Sequence, residues 1–191
     1  MTDEGVVING VRWATRNADG FRTFVASPEM LGGFYAWQTN RSRDRYTLRI
    51  RNNTRNPDWN PCPPGWRLPT DMEFLSLIEA ESVWTTVNGV YGRLFGTVPH
   101  QLFLPAGGKF LDEYPEVRYV GELGFYWFSH TAWRRWRMIF CQKNIGIFAP
   151  REVVSQTPRR VFVSQWETVP FAREIVLIPE LSVRCVAITA D

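Results

Sequence analysis

The sequence predicts an α+β fold in which a hairpin and one capped helix are followed by strands, and three local patterns carry that prediction. Near the start, Gly5-Val6-Val7-Ile8-Asn9-Gly10-Val11-Arg12-Trp13 places the dipeptide Asn9-Gly10 between two apolar flanks. In the middle, Thr70-Asp71-Met72-Glu73 has the spacing of a helix capping box. After about Ala80 the chain reads as short aromatic and β-branched runs separated by turn residues.

The first pattern predicts a hairpin, because Asn and Gly tolerate the positive φ angles of a tight two-residue turn. Gly32-Gly33-Phe34-Tyr35-Ala36-Trp37 follows as a buried aromatic segment. Between Arg41 and Arg55 the composition changes, with six Arg among fifteen residues. Arg41, Arg43 and Arg45 alternate, as do Arg49 and Arg51, so an extended chain would put each set on one side. A polar surface loop is the expectation here. Nucleic-acid contact is the alternative, and the scarcity of Lys and the near-neutral charge weigh against it.

At the capping box, the Thr70 hydroxyl can accept from the third helical amide while Glu73 reaches back to the Thr70 amide. A helix is predicted to run from there to about Ala80, with Phe74, Leu75 and Ile78 at helical spacing and Pro69 just ahead of the cap. Beyond it, strands are predicted at Gln101 to Leu104 and Gly124 to Thr131, and from Trp136 to Phe148 with Asn144 to Gly146 as a turn. Val161 to Val163, Ile175 to Ile178 and Leu181 to Ile188 complete the set. No internal repeat or low-complexity segment is evident.

A chain of 191 residues with 45% hydrophobic content suits one domain, 1–191. Nine Trp, thirteen Phe and six Tyr exceed what a core of this size needs, so some are expected at the surface, where aromatics serve recognition. The formal charge is +3, yet the basic residues are twenty Arg against two Lys. Arg offers a planar fork of donors and a face that stacks on rings, which favours specific contacts; a bias of composition is the other explanation.

No apolar run approaches the roughly 20 residues of a membrane span, so no membrane insertion is expected. Met1 to Asn9 lacks the basic start and apolar centre of a signal peptide. The expectation is a chain made without such export, as a phage protein would be, or one that begins after a removed leader. His100 and His130 have no second ligand at metal spacing, and Cys62, Cys141 and Cys185 form neither a paired framework nor a CxxC site. No metal or cofactor is expected, and at most one intrachain disulfide; three buried thiols are the alternative.

Four blocks, in order, resemble the Fibrobacter succinogenes major paralogous domain. They are Asn60-Pro61-Cys62-Pro63-Pro64-Gly65-Trp66-Arg67-Leu68-Pro69-Thr70-Asp71, Leu104-Pro105-Ala106-Gly107-Gly108, Gly124-Phe125-Tyr126-Trp127-Phe128-Ser129 and Ser182-Val183-Arg184-Cys185-Val186. Arg67-Leu68-Pro69-Thr70 with Glu73, and Val183-Arg184-Cys185-Val186, are also similar to segments of the formylglycine-generating enzyme family. Both resemblances imply a C-type lectin-like fold: a twisted antiparallel sheet, paired terminal strands, one or two helices and variable loops on display. They also single out Cys62 and Cys185 as the pair for any disulfide, since both lie in signature blocks.

The same fold carries the variable proteins of diversity-generating retroelements, including ligand-binding tips of phages and bacterial surface proteins. On that likeness, 1–127 and 181–191 are the scaffold and 128–180 the variable ligand-binding region. The candidate residues are Phe128, His130, Trp133, Arg135, Trp136, Arg137, Phe148, Arg151, Arg159, Arg160 and Trp166. The aromatics could stack on a sugar face or fill a protein pocket, and the Arg could pair with carboxylates or phosphates. Strand alternation implies that part of this set is core instead.

The expected function is therefore non-enzymatic binding of a cell-surface protein or carbohydrate, with no nucleic acid, from a phage virion or bacterial cell surface. The alternatives are a modifying enzyme of the formylglycine type and a structural fibre or adhesin domain whose aromatic face joins copies of the chain in a homo-oligomer. The enzyme would need a reactive cysteine pair, for which Cys141 and Cys185 are the candidates in the C-terminal part. Its Arg-Gly-Gly-Ser-Trp block is reduced here to Arg160-Val161-Phe162-Val163-Ser164-Gln165-Trp166, and the calcium-dependent sugar motifs of lectins are missing; Asn56-Pro57-Asp58 reads as a turn.

Overall fold

Asn9 and Gly10 adopt φ of 48° and 81°, the paired positive angles of a type I′ turn. They fold β1 (Val6–Ile8) onto β2 (Val11–Asp19), with Val6 opposite Trp13 and Ile8 opposite Val11. The predicted hairpin is thus present. The computed structural model describes residues 2–20, 22–36, 42–43, 50–52, 59–110, 116–129, 137–143, 145–148 and 180–188.

β3 (Thr23–Phe24) adds to the far end of β2, and the aromatic segment forms β4 (Phe34–Tyr35) with both side chains buried. β5 (Ser42–Arg43) pairs with β4, and β6 (Ile50–Asn52) with β5. At these positions the backbone is paired strand, which corrects the expectation of a plain loop. The other residues between 41 and 55 lie outside the described residues.

β7 (Trp66–Arg67) leads into α1 (Asp71–Glu79). The Glu73 amide donates to the Thr70 hydroxyl at 3.2 Å and the Thr70 amide to Glu73 Oε2 at 2.7 Å, so the capping box is complete. Arg67 adds a bidentate pair to the same carboxylate at 2.7 and 2.8 Å. Phe74 and Leu77 face the core, and the helix ends where Ala80 turns extended.

β8 (Ser82–Val87) and β9 (Val90–Thr97) form a second hairpin around Asn88-Gly89, again with φ of 48° and 81°. β10 (His100–Pro105) completes a three-stranded sheet in the order β10-β9-β8. Of this sheet the sequence predicts only Gln101 to Leu104, although Asn88-Gly89 is the same turn dipeptide as Asn9-Gly10.

β11 (Gly107–Phe110), β12 (Val117–Val120), β13 (Gly124–Trp127), β14 (Arg137–Phe140) and β15 (Ile145–Phe148) form a sheet in the order β12-β11-β13-β14-β15. All contacts in it are antiparallel except the parallel bridge between Gly108 and Gly124. A Cβ on Gly124 would lie 2.1 Å from the Phe140 ring, and one on Gly108, at φ 65°, would lie 2.1 Å from the Arg118 carbonyl oxygen. Close approach calls for glycine at both, and at Gly108 the positive φ does so as well. The connection from β14 to β15 is at 141–144 rather than at Asn144 to Gly146.

Last, β16 (Arg184–Ala187) inserts between β2 and β7, so the terminal strands pair in a sheet ordered β1-β2-β16-β7. Among the described residues the architecture is mixed α+β, mostly antiparallel, with one helix. Cys62 and Cys185 are bridged, with Cα atoms 5.9 Å apart across 123 positions of sequence. A covalent closure of so long a loop contributes about 2–5 kcal/mol, chiefly by restricting the unfolded chain.

The core lies on both faces of β13. Phe125, Trp127 and Ile139 join Trp66, Cys62, Val183 and Cys185 on one side; Tyr126, Phe128, Met138 and Phe140 join Trp13, Phe74, Phe95 and Val186 on the other. Burial on both faces explains why the segment reads as an unbroken aromatic run. Arg184 is wholly buried and donates to the carbonyls of Ala14 at 3.2 Å and Phe103 at 3.0 Å, tying β16 to β2 and β10. Burial pulls its pKa down to about 10, so it stays cationic at neutral pH.

Candidate ligand-binding face

The site begins with a row of backbone positions across three strands. Trp127 is paired with Arg137, and Arg137 with Phe148, at one end of β13, β14 and β15. Segment 130–136 joins the first two strands at this end, and segment 149–179 continues from the third. Trp127 is fully buried, and its indole N–H donates to the Tyr35 carbonyl at 2.7 Å, which fixes the end of β13 against β4.

The stems of both segments are fastened to the scaffold. Ser129 donates its amide to the Pro69 carbonyl at 2.8 Å and bridges Thr70, so the chain leaves β13 held by the residues that start the helix. On the return, Glu180 and Phe110 exchange amide hydrogen bonds at 2.9 and 3.1 Å, and Leu181 and Tyr35 do the same at 2.9 and 3.1 Å. Trp127 then donates to the Ser182 carbonyl at 3.2 Å, with Ser182 running parallel beside Tyr126. The sequence marks Ser129 and Ser182 as parts of signature blocks and Pro69 also as the residue ahead of the helix cap; their role in gripping the stems depends on neighbours far away in sequence.

Three of the eleven sequence-predicted site residues, Phe128, Arg137 and Phe148, lie among the described residues. Phe128 is fully buried, its ring centroid 5.7 Å from that of Phe74, so it belongs to the core and not to an exposed face. Arg137 and Phe148 occupy the row itself, by backbone position. His130, Trp133, Arg135 and Trp136, and Arg151, Arg159, Arg160 and Trp166, lie outside the described residues, within the two segments that attach at that row. The strand part of 128–180 is not peripheral either: Met138, Ile139 and Phe140 are fully buried.

The opposite end of the same strands is closed. Arg93, nearly buried on β9, donates to the Ser82 hydroxyl at 2.9 Å and to the carbonyls of Cys141 and Gln142 at 3.3 and 3.1 Å. Burial lowers its pKa, as expected of a cation held by neutral oxygens. Cys141 sits in this turn, half-buried, while Cys185 has its sulfur in the bridge to Cys62. The pair Cys141 and Cys185 that formylglycine-type chemistry would use is therefore not available as two thiols. Among the described residues, no group of three His, Cys, Asp or Glu side chains is placed to hold a metal, and no helix is long and apolar enough to cross a membrane.

Comparison of the chain with protein-family models, with curated proteins and with solved structures returns no match.

Proposed function

We propose that this chain is a non-enzymatic binding module with a C-type lectin-like scaffold, presenting segments 130–136 and 149–179 to a cell-surface protein or carbohydrate. The observation that carries the reading is the row Trp127, Arg137 and Phe148, from which both segments leave a disulfide-linked, fully packed body. Ten of the eleven candidate residues lie in that row or in those segments, and Phe128 does not belong with them. The pairing of the terminal strands and the one helix among the described residues support the scaffold assignment. A phage tail tip or bacterial surface protein diversified by a retroelement is the setting this reading favours.

Sequencing related isolates tests it. Differences concentrated in 130–136 and 149–179, with Phe128, Met138, Ile139 and Phe140 unchanged, are the expected result. Differences scattered evenly over the whole chain, buried strands included, overturn the diversified-display reading.

A further inference from the structure

The outer edge of β8 offers a second interaction surface, distant in sequence from the candidate ligand face. β8 pairs with β9 on one side, and among the described residues no strand pairs with its other side. The turn Asn88-Gly89 makes Val87 and Val90 the closing hydrogen-bonded pair of the hairpin, so Val87, Thr85 and Val83 direct their amides and carbonyls toward β9. The backbone groups of Thr86, Trp84 and Ser82 consequently point away from the sheet, to an edge that no strand among the described residues covers. From Ser82 to Val90 the hairpin has no charge and no proline, the devices by which edge strands are usually protected from pairing with another chain.

The strand is also nearly symmetric about Thr85: Val83 and Val87 flank it two residues away on one face, and Trp84 and Thr86 one residue away on the other. We propose that a second copy of this chain pairs along β8, antiparallel and about a two-fold axis at Thr85, so that two three-stranded sheets become one six-stranded sheet. In this register Trp84 of one copy and Thr86 of the other form hydrogen-bonded pairs with backbone groups that both point outward. Thr85 faces its own counterpart, and Val83, 57% exposed, faces Val87 on each side of the axis. Trp84, stacked on the half-exposed Tyr91 with ring centroids 6.3 Å apart, flanks Thr86 of the partner on the other face. An uncharged edge meets its own copy without like-charge repulsion, and each valine pair buries apolar surface that is open in the single chain. A contact of two six-residue strands is small, so the dimer is expected to be weak and concentration-dependent.

Molecular mass is measured by sedimentation or light scattering over a concentration series of the full chain. A wild-type mass that rises toward that of a dimer is expected, and a monomer at every concentration up to about 1 mM overturns the proposal. Thr86→Pro removes an outward amide that β9 does not use, and should lower association on the order of tenfold or more. Thr85→Lys and Thr85→Glu each place like charges at the axis; each alone should be monomeric and their mixture should dimerise. A dimer that survives all of these substitutions, or a mixture that stays monomeric, rejects the β8 contact even if Thr86→Pro does not fold.

Discussion

The two ends of the β13-β14-β15 sheet are built from the same strands and are connected in different ways. At one end, the short 141–144 connection is held by Arg93 through the Cys141 and Gln142 carbonyls, and Phe140 lies over Gly124 with no room for a side chain. At the other end, Trp127, Arg137 and Phe148 form the row from which the chain leaves in segments of seven and thirty-one residues, 130–136 and 149–179. At the first end the connection is short and the strand leading into it is buried, with Met138, Ile139 and Phe140 in the core. At the second end the stems are gripped by backbone hydrogen bonds, which do not depend on side-chain identity, and the proposed display reading places sequence change there.

The sharpest way to break this contrast is Phe128→Ala. If Phe128 served a ligand, its loss would leave folding untouched; as a fully buried ring against Phe74 it should cost about 3–5 kcal/mol, read from urea denaturation. At the closed end, Gly124→Ala drives a Cβ into the Phe140 ring and should cost about 1–3 kcal/mol in the same assay, with no change expected in any ligand contact.

A smaller effect comes from acid. Burial pushes the Glu73 carboxyl up, but its bonds from Arg67 and the Thr70 amide outweigh this and hold it below the ordinary 4.5. Asp3, half-buried, is likewise held below 3.8, because its bonds from Thr15, Gly5 and Arg16 outweigh the opposing effect of burial. Both carboxylates stabilise the folded chain fully above their unfolded values, and that stability is lost as pH falls through the lowered folded values. Stability should therefore decline below about pH 4.5, and Glu73→Gln should flatten the decline. A slope unchanged in Glu73→Gln would remove the ion pair from the account of acid sensitivity.

The smallest expected change in stability is at the open end. Trp136→Ala and Arg135→Ala should shift folding by no more than about 0.5 kcal/mol while abolishing or redirecting binding on an array of cell-surface glycans and proteins. A large loss of stability in either variant would mean that segment 130–136 is core, and the contrast between the ends would fail.

Several elements were legible because their interactions are local. The Asn9-Gly10 turn and the helix from Asp71 to Glu79 depend on groups within four residues of one another, and both occur where the sequence predicts them. Asn88-Gly89 is the same turn dipeptide, but the flanking Thr85, Thr86, Tyr91 and Gly92 weaken the apolar alternation that marks a hairpin. The shift of the β14-β15 turn to 141–144 was hidden for a related reason: Asn144 and Gly146 look like turn residues, yet burial of Met138 to Phe140 sets where the strand ends.

By itself, then, the chain determined its turns, its helix cap and its α+β character, since those follow from backbone preferences over a few residues. The Cys62–Cys185 pair follows the expectation drawn from the signature blocks, whereas only the tertiary structure decided that β13 is buried on both faces and that Phe128 packs inward. Those outcomes depend on which sheet lies over which, and on where β16 inserts between β2 and β7. Contacts between residues a hundred positions apart leave no periodicity in the sequence from which they could be read.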